Sequence, residues 1–400
     1  MANNNKHTGP NVPALRFPEF SGEWETLQLA DLASFSKDRV KIETLSTDNY
    51  VSTENMQQDF TGIKEAISLP SSSTAVEFQI GDILISNIRP YLRKIWMADR
   101  NGGCSTDVLS LRTRNEKVDS AFLYCCLAND GFISYVMSGA KGVKMPRGDK
   151  QHISSFSLGV PSIKEQKKIS KLISLLEKRI STQSKIIEEL KTLRSALSES
   201  LYYDCDSFQE MSFNDVGECY SGLSGKSSED FGSGYPFVPY TNIFANDVID
   251  ENQFEYVQIR ENEAQNTVHY GDLLMTLSSE TPEEVGIGSV YLGSESHLYL
   301  NSFAFGIHIT RTDLVYPPYL SWLVSTKSFR KFILPFAQGS TRYNLQKTDF
   351  MKAKYRFPTL ERQKTIYKLL SSYSSKIDNE EKILDLYQFQ KQGLLEQMFI

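Results

Sequence analysis

Two stretches of the chain carry apolar residues at helical spacing over unusual lengths. In the first, Ile169, Leu172, Leu176, Ile180, Ile187, Leu190, Leu193, Leu197 and Leu201 recur with Gln183 as the one polar interruption. Counting Gln183, the mean step is about 3.56 residues, between the heptad and the straight-helix period. The second stretch shows Ile366, Leu369, Tyr373, Ile377, Ile383, Leu384, Tyr387, Leu394 and Met398, with Glu380 matching Gln183. Each predicts a helix of about 40 residues, about 60 Å long. Ser162 with Glu165 predicts a capping box at the first helix start, whereas Thr359 is followed by Arg362 and its box is incomplete. Two long apolar seams in one chain predict that the helices pack on each other as an antiparallel coiled coil. Packing of each helix on its own domain alone is the less economical arrangement.

The segments between are patterned differently. Short β-rich runs alternate with Gly, Ser and Asn, and two of them repeat. Gly81-Asp82-Ile83-Leu84-Ile85-Ser86 answers to Gly271-Asp272-Leu273-Leu274-Met275-Thr276, each read as a turn entering a buried strand. Upstream, Trp24-x-x-Leu27-x-Leu29-x-Asp31-Leu32 matches Phe208-x-x-Met211-x-Phe213-x-Asp215-Val216, and Asn55-Met56 matches Asn242-Ile243. Downstream, Val160-Pro161-Ser162-Ile163 matches Phe357-Pro358-Thr359-Leu360, and Gln166 and Ile169 match Gln363 and Ile366. An ordered series of this kind is a duplication. Helices are expected at 119–136 and 316–332. The reading is an α+β chain with a pseudo-twofold internal repeat. It divides into an N-terminal tail (1–20), a first β-rich domain (21–160), a central long helix (161–204), a second β-rich domain (205–357) and a C-terminal long helix (358–400).

Composition narrows the function. Hydrophobic residues are 40% and aromatic residues 12% of the chain, ample for packed cores. No apolar run is long enough to span a membrane. The start, Met1 to His7, is polar and unlike a secretory signal. Cys104, Cys125, Cys126, Cys205 and Cys219 form no Cys-x-x-Cys pair, and Cys125-Cys126 lie in an apolar run. That pattern suits core thiols and a reducing cytoplasm rather than a disulfide framework or a zinc site. The five histidines, His7, His152, His269, His297 and His308, show no metal-ligand spacing, so no metal is expected. The net charge of −6 conceals an asymmetry: residues 201–300 hold 18 acidic side chains against Lys226 and Arg260 alone. The rest of the chain is basic, and a nucleic-acid footprint depends on local fields.

Two homologous β-rich domains, each followed by a long helix, together with the opening Leu15-Arg16-Phe17-Pro18-Glu19-Phe20 and the helix starts Pro161 to Gln166 and Pro358 to Gln363, resemble the specificity subunits of type I restriction-modification systems. The resemblance covers essentially the whole chain beyond the first dozen residues. It implies that each β-rich unit is a target-recognition domain reading half of a split double-stranded DNA site. It further implies that the helices set the spacing and dock two methyltransferase subunits, and that restriction and translocase subunits join the complex. S-adenosylmethionine and adenine methylation would belong to the methyltransferase, ATP and Mg to the nuclease partner, and no cofactor or catalytic site to this chain. A coiled-coil scaffold with two protein-binding domains and no DNA contact is the alternative.

Candidate DNA-contacting residues lie on loops at matching places in the two copies. In the first copy they are Asn87, Arg89, Tyr91, Arg93 and Lys94 after the Gly-Asp strand, and Lys141, Lys144, Arg147 and Lys150 before the last strand. In the second they are Ser278 and Ser279, then Ser340, Thr341, Arg342, Tyr343, Asn344 and Lys347; Glu280 departs from the basic pattern. Arginine and lysine can serve phosphates or guanine edges, and Asn and Ser can reach base edges. Four motifs mimic catalysis. Ser221-Gly222-Leu223-Ser224-Gly225-Lys226-Ser227 lacks the first glycine of a phosphate-binding loop, since Tyr220 stands there. Tyr316-Pro317-Pro318-Tyr319 lacks the leading Asn or Asp of an amino-methylase motif and reads as a helix start with Pro at its first positions. Glu165-Gln166-Lys167 is a helix N-terminus, and Gly286-Ile287-Gly288 alone carries little.

Overall fold

The computed structural model describes residues 11–114, 116–204 and 207–400. Part of the N-terminal tail, His7 and Cys205 lie outside the described residues. The chain forms two compact units. One comprises the chain up to Ser184 with Lys382–Ile400, and the other is Lys185–Glu381.

Both units use the same sheet. In the first, strands Ala33–Phe35, Val108–Thr113, Ile83–Ser86 and Ile95–Met97 lie side by side in that order. In the second the order is Gly217–Ser221, Ala304–Ile309, Leu273–Thr276, Gly288–Val290. The registers correspond too: Leu84 faces Ser110, and Leu274 faces Gly306. The Gly-Asp strands are central and buried along their whole length, as their unbroken apolar run predicts. Gly81 and Gly271 turn into them with φ of +88° and +91°, which a residue with a Cβ rarely adopts. A two-stranded ribbon leads each unit into its long helix, Glu25–Gln28 with Ser157–Val160 and Phe208–Ser212 with Lys354–Pro358.

The helices expected at 119–136 and 316–332 are each two helices: Ser120–Leu127 and Asp130–Ser138, then Pro317–Leu323 and Lys327–Ile333. A side-chain cap makes the break in both copies. Asn129 accepts from the Phe132 N–H at 3.0 Å, and Thr326 accepts from the Phe329 N–H at 3.2 Å.

The long helices run Ile163–Tyr203 and Leu360–Met398 and pack together. In the first unit Glu177 pairs with Lys391 at 2.7 Å, and the Arg179 guanidinium lies over the Tyr387 ring. In the second, Lys191 pairs with Glu381 at 2.6 Å and Arg194 donates to Ser374 at 2.9 Å. As one number rises the other falls, so the pairing is antiparallel. The seam is a stricter heptad than the sequence reading. Ile169, Ile173, Leu176, Gln183 and Ile187 are buried, and Ile180, Leu190 and Leu197 are half-buried. Leu172 flanks the seam and packs on the first unit's core. In the second helix Ile366, Leu370, Ile377 and Met398 are buried, with Tyr373, Leu384 and Tyr387 half-buried. Leu193, Leu369 and Ile383, assigned to the seam from sequence, are exposed. A coiled-coil stripe is only two residues per heptad wide, so an apolar residue one place off falls outside it. The helix ends also enter the domain cores: Ile169 and Met398 in the first unit, Tyr202, Ile366 and Leu370 in the second.

The Pro-to-Gln helix starts are structural pins. Gln166 is fully buried; its Oε1 accepts from the Asp119 N–H, and its Nε2 donates to the carbonyls of Lys117 and Pro161, all at 2.8 Å. Gln363 does the same with the Tyr316 N–H at 2.9 Å and the carbonyls of Leu314 at 3.0 Å and Pro358 at 2.8 Å. Each ties a long helix to the start of the first helix of its unit's helix pair, Ser120–Leu127 or Pro317–Leu323. The predicted capping box is half made: the Glu165 N–H donates to Ser162 Oγ at 3.4 Å. The Glu165 carboxylate is instead gripped by both arms of Arg16, at 2.7 and 2.8 Å, which is what the opening motif contributes.

Candidate nucleic-acid interface

In both copies the structure joins the two loops that sequence reading treated separately. In the first unit the Gly148 N–H donates to the Asn87 carbonyl at 3.1 Å, and Arg89 N–H donates to the Pro146 carbonyl at 2.8 Å. Ile88 bridges Arg147 between them. In the second, the Leu345 N–H donates to the Leu277 carbonyl at 2.8 Å, and Ser278–Ser279 pairs with Tyr343 and Asn344 as a short ladder. The Gly148–Asn87 bond of the first junction has its counterpart in the Leu345–Leu277 bond of the second.

The first junction is held in a strained shape. Arg89 and Arg93 flank the turn Pro90–Leu92 with φ of 49° and 55°, a left-handed conformation that costs a non-glycine residue about 1–3 kcal/mol. Several of its cations are already engaged. Arg93 pairs with Asp130 at 3.0 Å and Asp59 at 3.4 Å, Lys94 donates to the Thr53 carbonyl at 2.6 Å, Lys141 pairs with Asp149 at 2.6 Å, and Arg147 reaches Asp107 at 3.4 Å. The Lys141 ammonium and two backbone N–H groups hold the Asp149 carboxyl down at about 2. Lys150 lies over the Phe35 ring at 5.7 Å. Arg89 and Lys144 are exposed and make no ion pair among the described residues. Tyr91 and Met145 stand exposed beside them. Among the described residues, the Asn87 Oδ1 is buried without a hydrogen-bond partner.

In the second junction Ser340, Thr341, Arg342 and Asn344 are exposed. The Arg342 guanidinium lies over the exposed Phe303 ring at 5.5 Å, and the Lys347 ammonium over the buried Phe305 ring at 5.8 Å. Gly339, at φ +152°, lies where a Cβ would strike the Arg342 carbonyl, so the turn before Arg342 requires glycine. Ser278 and Ser279 are buried, and Ser279 Oγ donates to Glu284 at 2.7 Å. Both are covered by the fold, and the Ser279 side chain braces the junction; sequence could not reveal this, because a Ser-Ser pair reads alike in a strand and in a loop.

The acidic stretch has an internal use. Asp215, Asp230 and Asp250 accept from backbone N–H groups of Ser212, Ser227 and Asn252, at 2.8, 2.8 and 3.0 Å, and these bonds lower their pKa values. They close turns and helix starts.

The mimic motifs resolve into structure. Lys226 is nearly buried, pairs with Glu263 at 2.5 Å and donates to the Gln258 carbonyl, so its ammonium is committed to a loop. Tyr316 precedes a helix with Pro317 and Pro318 in its first turn. Arg330 donates to the carbonyls of Glu283, Val285 and Gly286 and so pins the Gly-x-Gly loop. Burial pushes the Cys104 and Cys125 thiols up to about 12 and Cys126 well above its usual value. His269 and His308, 39 positions apart, meet at Asp272, a juxtaposition with no local spacing to announce it.

Comparison with known proteins agrees with this architecture. The family model described as type I restriction modification DNA specificity domain matches twice, at residues 21–192 and 206–386. The specificity subunit of the type I restriction enzyme MjaVIII from Methanocaldococcus jannaschii is 22% identical over 394 residues, covering 92% of this chain and 89% of that one. The EcoDI specificity subunit of Escherichia coli is 26% identical over 130 residues, 32% of this chain and 29% of that one. Among solved structures, the S subunit of a type I restriction-modification system from M. genitalium superposes with a TM-score of 0.57 at 14% identity, covering 97% of this chain and 99% of that one. A chain from a study of type I R-M complex assembly and conformational transition superposes at 0.60 with 17% identity, covering 94% and 97%. At these identities the superpositions speak for the fold. With the specificity domain present twice and spanning most of its length, this chain belongs to the type I restriction-modification DNA specificity family.

Proposed function

We propose that each unit's two-loop junction is its DNA-facing surface and that the two units read the two halves of a split double-stranded site. The observation that carries this reading is the repeated junction, which presents exposed cations in both copies: Arg89 and Lys144 in one, and Arg342, close to the place of Lys144, in the other. Unpaired guanidinium and ammonium groups provide phosphate affinity, while loop side chains that differ between copies provide different half-sites. Ser340, Thr341, Tyr343 and Asn344 are the base-reading candidates of the second junction, and Asn87, Tyr91 and Arg147 those of the first.

The target-recognition domains take the bounds 21–160 and 205–357. The long helices act as spacer and as the docking surface for two methyltransferase subunits, which would hold S-adenosylmethionine and methylate adenine. Restriction and translocase subunits with ATP and Mg would complete the complex in the cytoplasm. The test is DNA binding by the assembled methyltransferase complex across salt concentrations. Replacing Arg89 and Lys144 together by alanine should weaken binding to all sequences and lower the salt slope by about two units. An unchanged slope would remove this face from the interface and favour the protein-binding scaffold.

A further inference from the structure

The conserved geometry of the two copies differs at one buried carboxylate. In the first unit Asp82, the residue after the turn glycine, is buried and gripped by Arg112, at 3.0 Å from Nε and 2.9 Å from Nη2. In the second unit its counterpart Asp272 is fully buried, and the strand position corresponding to Arg112 holds His308. His308 Nδ1 lies 2.7 Å from Asp272 Oδ1. The other oxygen accepts from the Tyr220 hydroxyl at 2.6 Å and the His269 N–H at 2.9 Å. The His269 ring closes the group from the turn side, its centroid 5.4 Å from that of His308 at an interplanar angle of 67°. The three donor atoms lie within 4.8 Å of one another, the one such cluster among the described residues.

We propose that His269, Asp272 and His308 form a binding site for a divalent transition-metal ion of the zinc, cobalt or nickel class. Two imidazoles sharing a tetrahedral ion at about 2.0–2.1 Å per bond place their ring centroids about 5.3 Å apart, the separation already present. Two nitrogen donors and one carboxylate oxygen select this class over magnesium or calcium. The ion takes the place of the proton between His308 Nδ1 and Asp272 Oδ1, the ring then carrying its proton on Nε2. Asp272 supplies a negative charge from a fully buried position, while both rings are open to solvent, so ion and waters have access. Glu218 stands directly across the ladder from His308 and adds a second carboxylate to the approach. The metal would brace the turn His269–Asp272 against the strand Ala304–Ile309, as the Arg112 guanidinium braces the matching pair in the first copy.

The test is calorimetric titration of the chelator-treated full chain with zinc, with thermal unfolding in parallel. Wild-type protein should take up one equivalent and melt at a higher temperature when loaded. His308→Arg installs the first copy's residue, keeps Asp272 paired with a cation, and should weaken uptake at least tenfold without lowering the metal-free melting temperature. His269→Ala leaves the Asp272–His308 contact and the backbone N–H in place and should weaken uptake comparably, which covers the case in which the arginine variant folds poorly. Cys219→Ser, which removes an exposed thiol, should bind as wild type. No uptake by the wild type, uptake retained in both histidine variants, or uptake lost in Cys219→Ser would overturn the proposal.

Discussion

The buried glutamine that starts each long helix permits a quantitative test. Replacing Gln363 by leucine keeps roughly the volume and removes three hydrogen bonds, leaving the Tyr316 N–H and the carbonyls of Leu314 and Pro358 without their partner. Each orphaned buried group costs about 1–3 kcal/mol, and leucine leaves no room for a rescuing water. A backbone carbonyl with a second acceptor site recovers part of that, so the expected loss is about 3 kcal/mol. For a unit of this size that is about 6–12 °C in melting temperature. Trp322 lies in the helix that Gln363 pins, whereas Trp24 and Trp96 lie in the first unit, so tryptophan fluorescence separates the two. The corresponding Gln166→Leu should destabilise the first unit by a similar amount. A Gln363→Leu protein within about 1 kcal/mol of wild type would refute the view that these side chains weld helix to domain.

Other perturbations follow from the same contacts. Arg16→Ala strands the buried Glu165 carboxylate and should cost about 3–5 kcal/mol in urea unfolding, while Arg16→Ala with Glu165→Gln together should recover part of it. Leu176→Asp should disrupt the helix pair and methyltransferase assembly, whereas Leu175→Asp, on an exposed neighbour, should leave both intact by size-exclusion chromatography. Arg342→Ala should weaken binding to every duplex and lower the salt slope by about one unit; relaxed specificity in one half-site at an unchanged slope would instead make Arg342 a base reader. Lys226→Ala should destabilise the 224–265 loop region in hydrogen exchange, because it frees the buried end of a pair with Glu263, and should leave no ATP hydrolysis to abolish.

Periodicity and duplication were legible because they are one-dimensional. The heptads, the paired Gly-Asp strands and the Gln-bearing helix starts recur in the same order in both halves, and the two buried glutamines make the same three contacts. The seam at Ile173 and Leu370 was missed in favour of Leu172 and Leu369, because either choice fits a mean period and only packing against the partner helix selects one. The helix breaks at Asn129 and Thr326 carried a signal, a capping residue inside an apolar run, that an unbroken reading overrode. The loops were found, but not their union. Nor did sequence separate Arg93, Lys94 and Lys141, spent on local carboxylates and carbonyls, from Arg89 and Lys144. Ion pairing between residues 30 or more positions apart, such as Arg93 with Asp59, leaves no local trace.

The central claim is that each of the two repeated domains specifies one half of a split DNA site. Expressing the chain with the methyltransferase subunit proposed as its partner in a methylation-free host and mapping methylated bases across the genome tests it most directly, if done beside a chimera in which residues 205–357 are replaced by the second domain of another specificity subunit. The parent should give one motif of two short half-sites around a fixed gap, and the chimera a motif in which one half-site changes while the other is kept. A motif lying within a single uninterrupted block, or a chimera that alters both halves or neither, would contradict it.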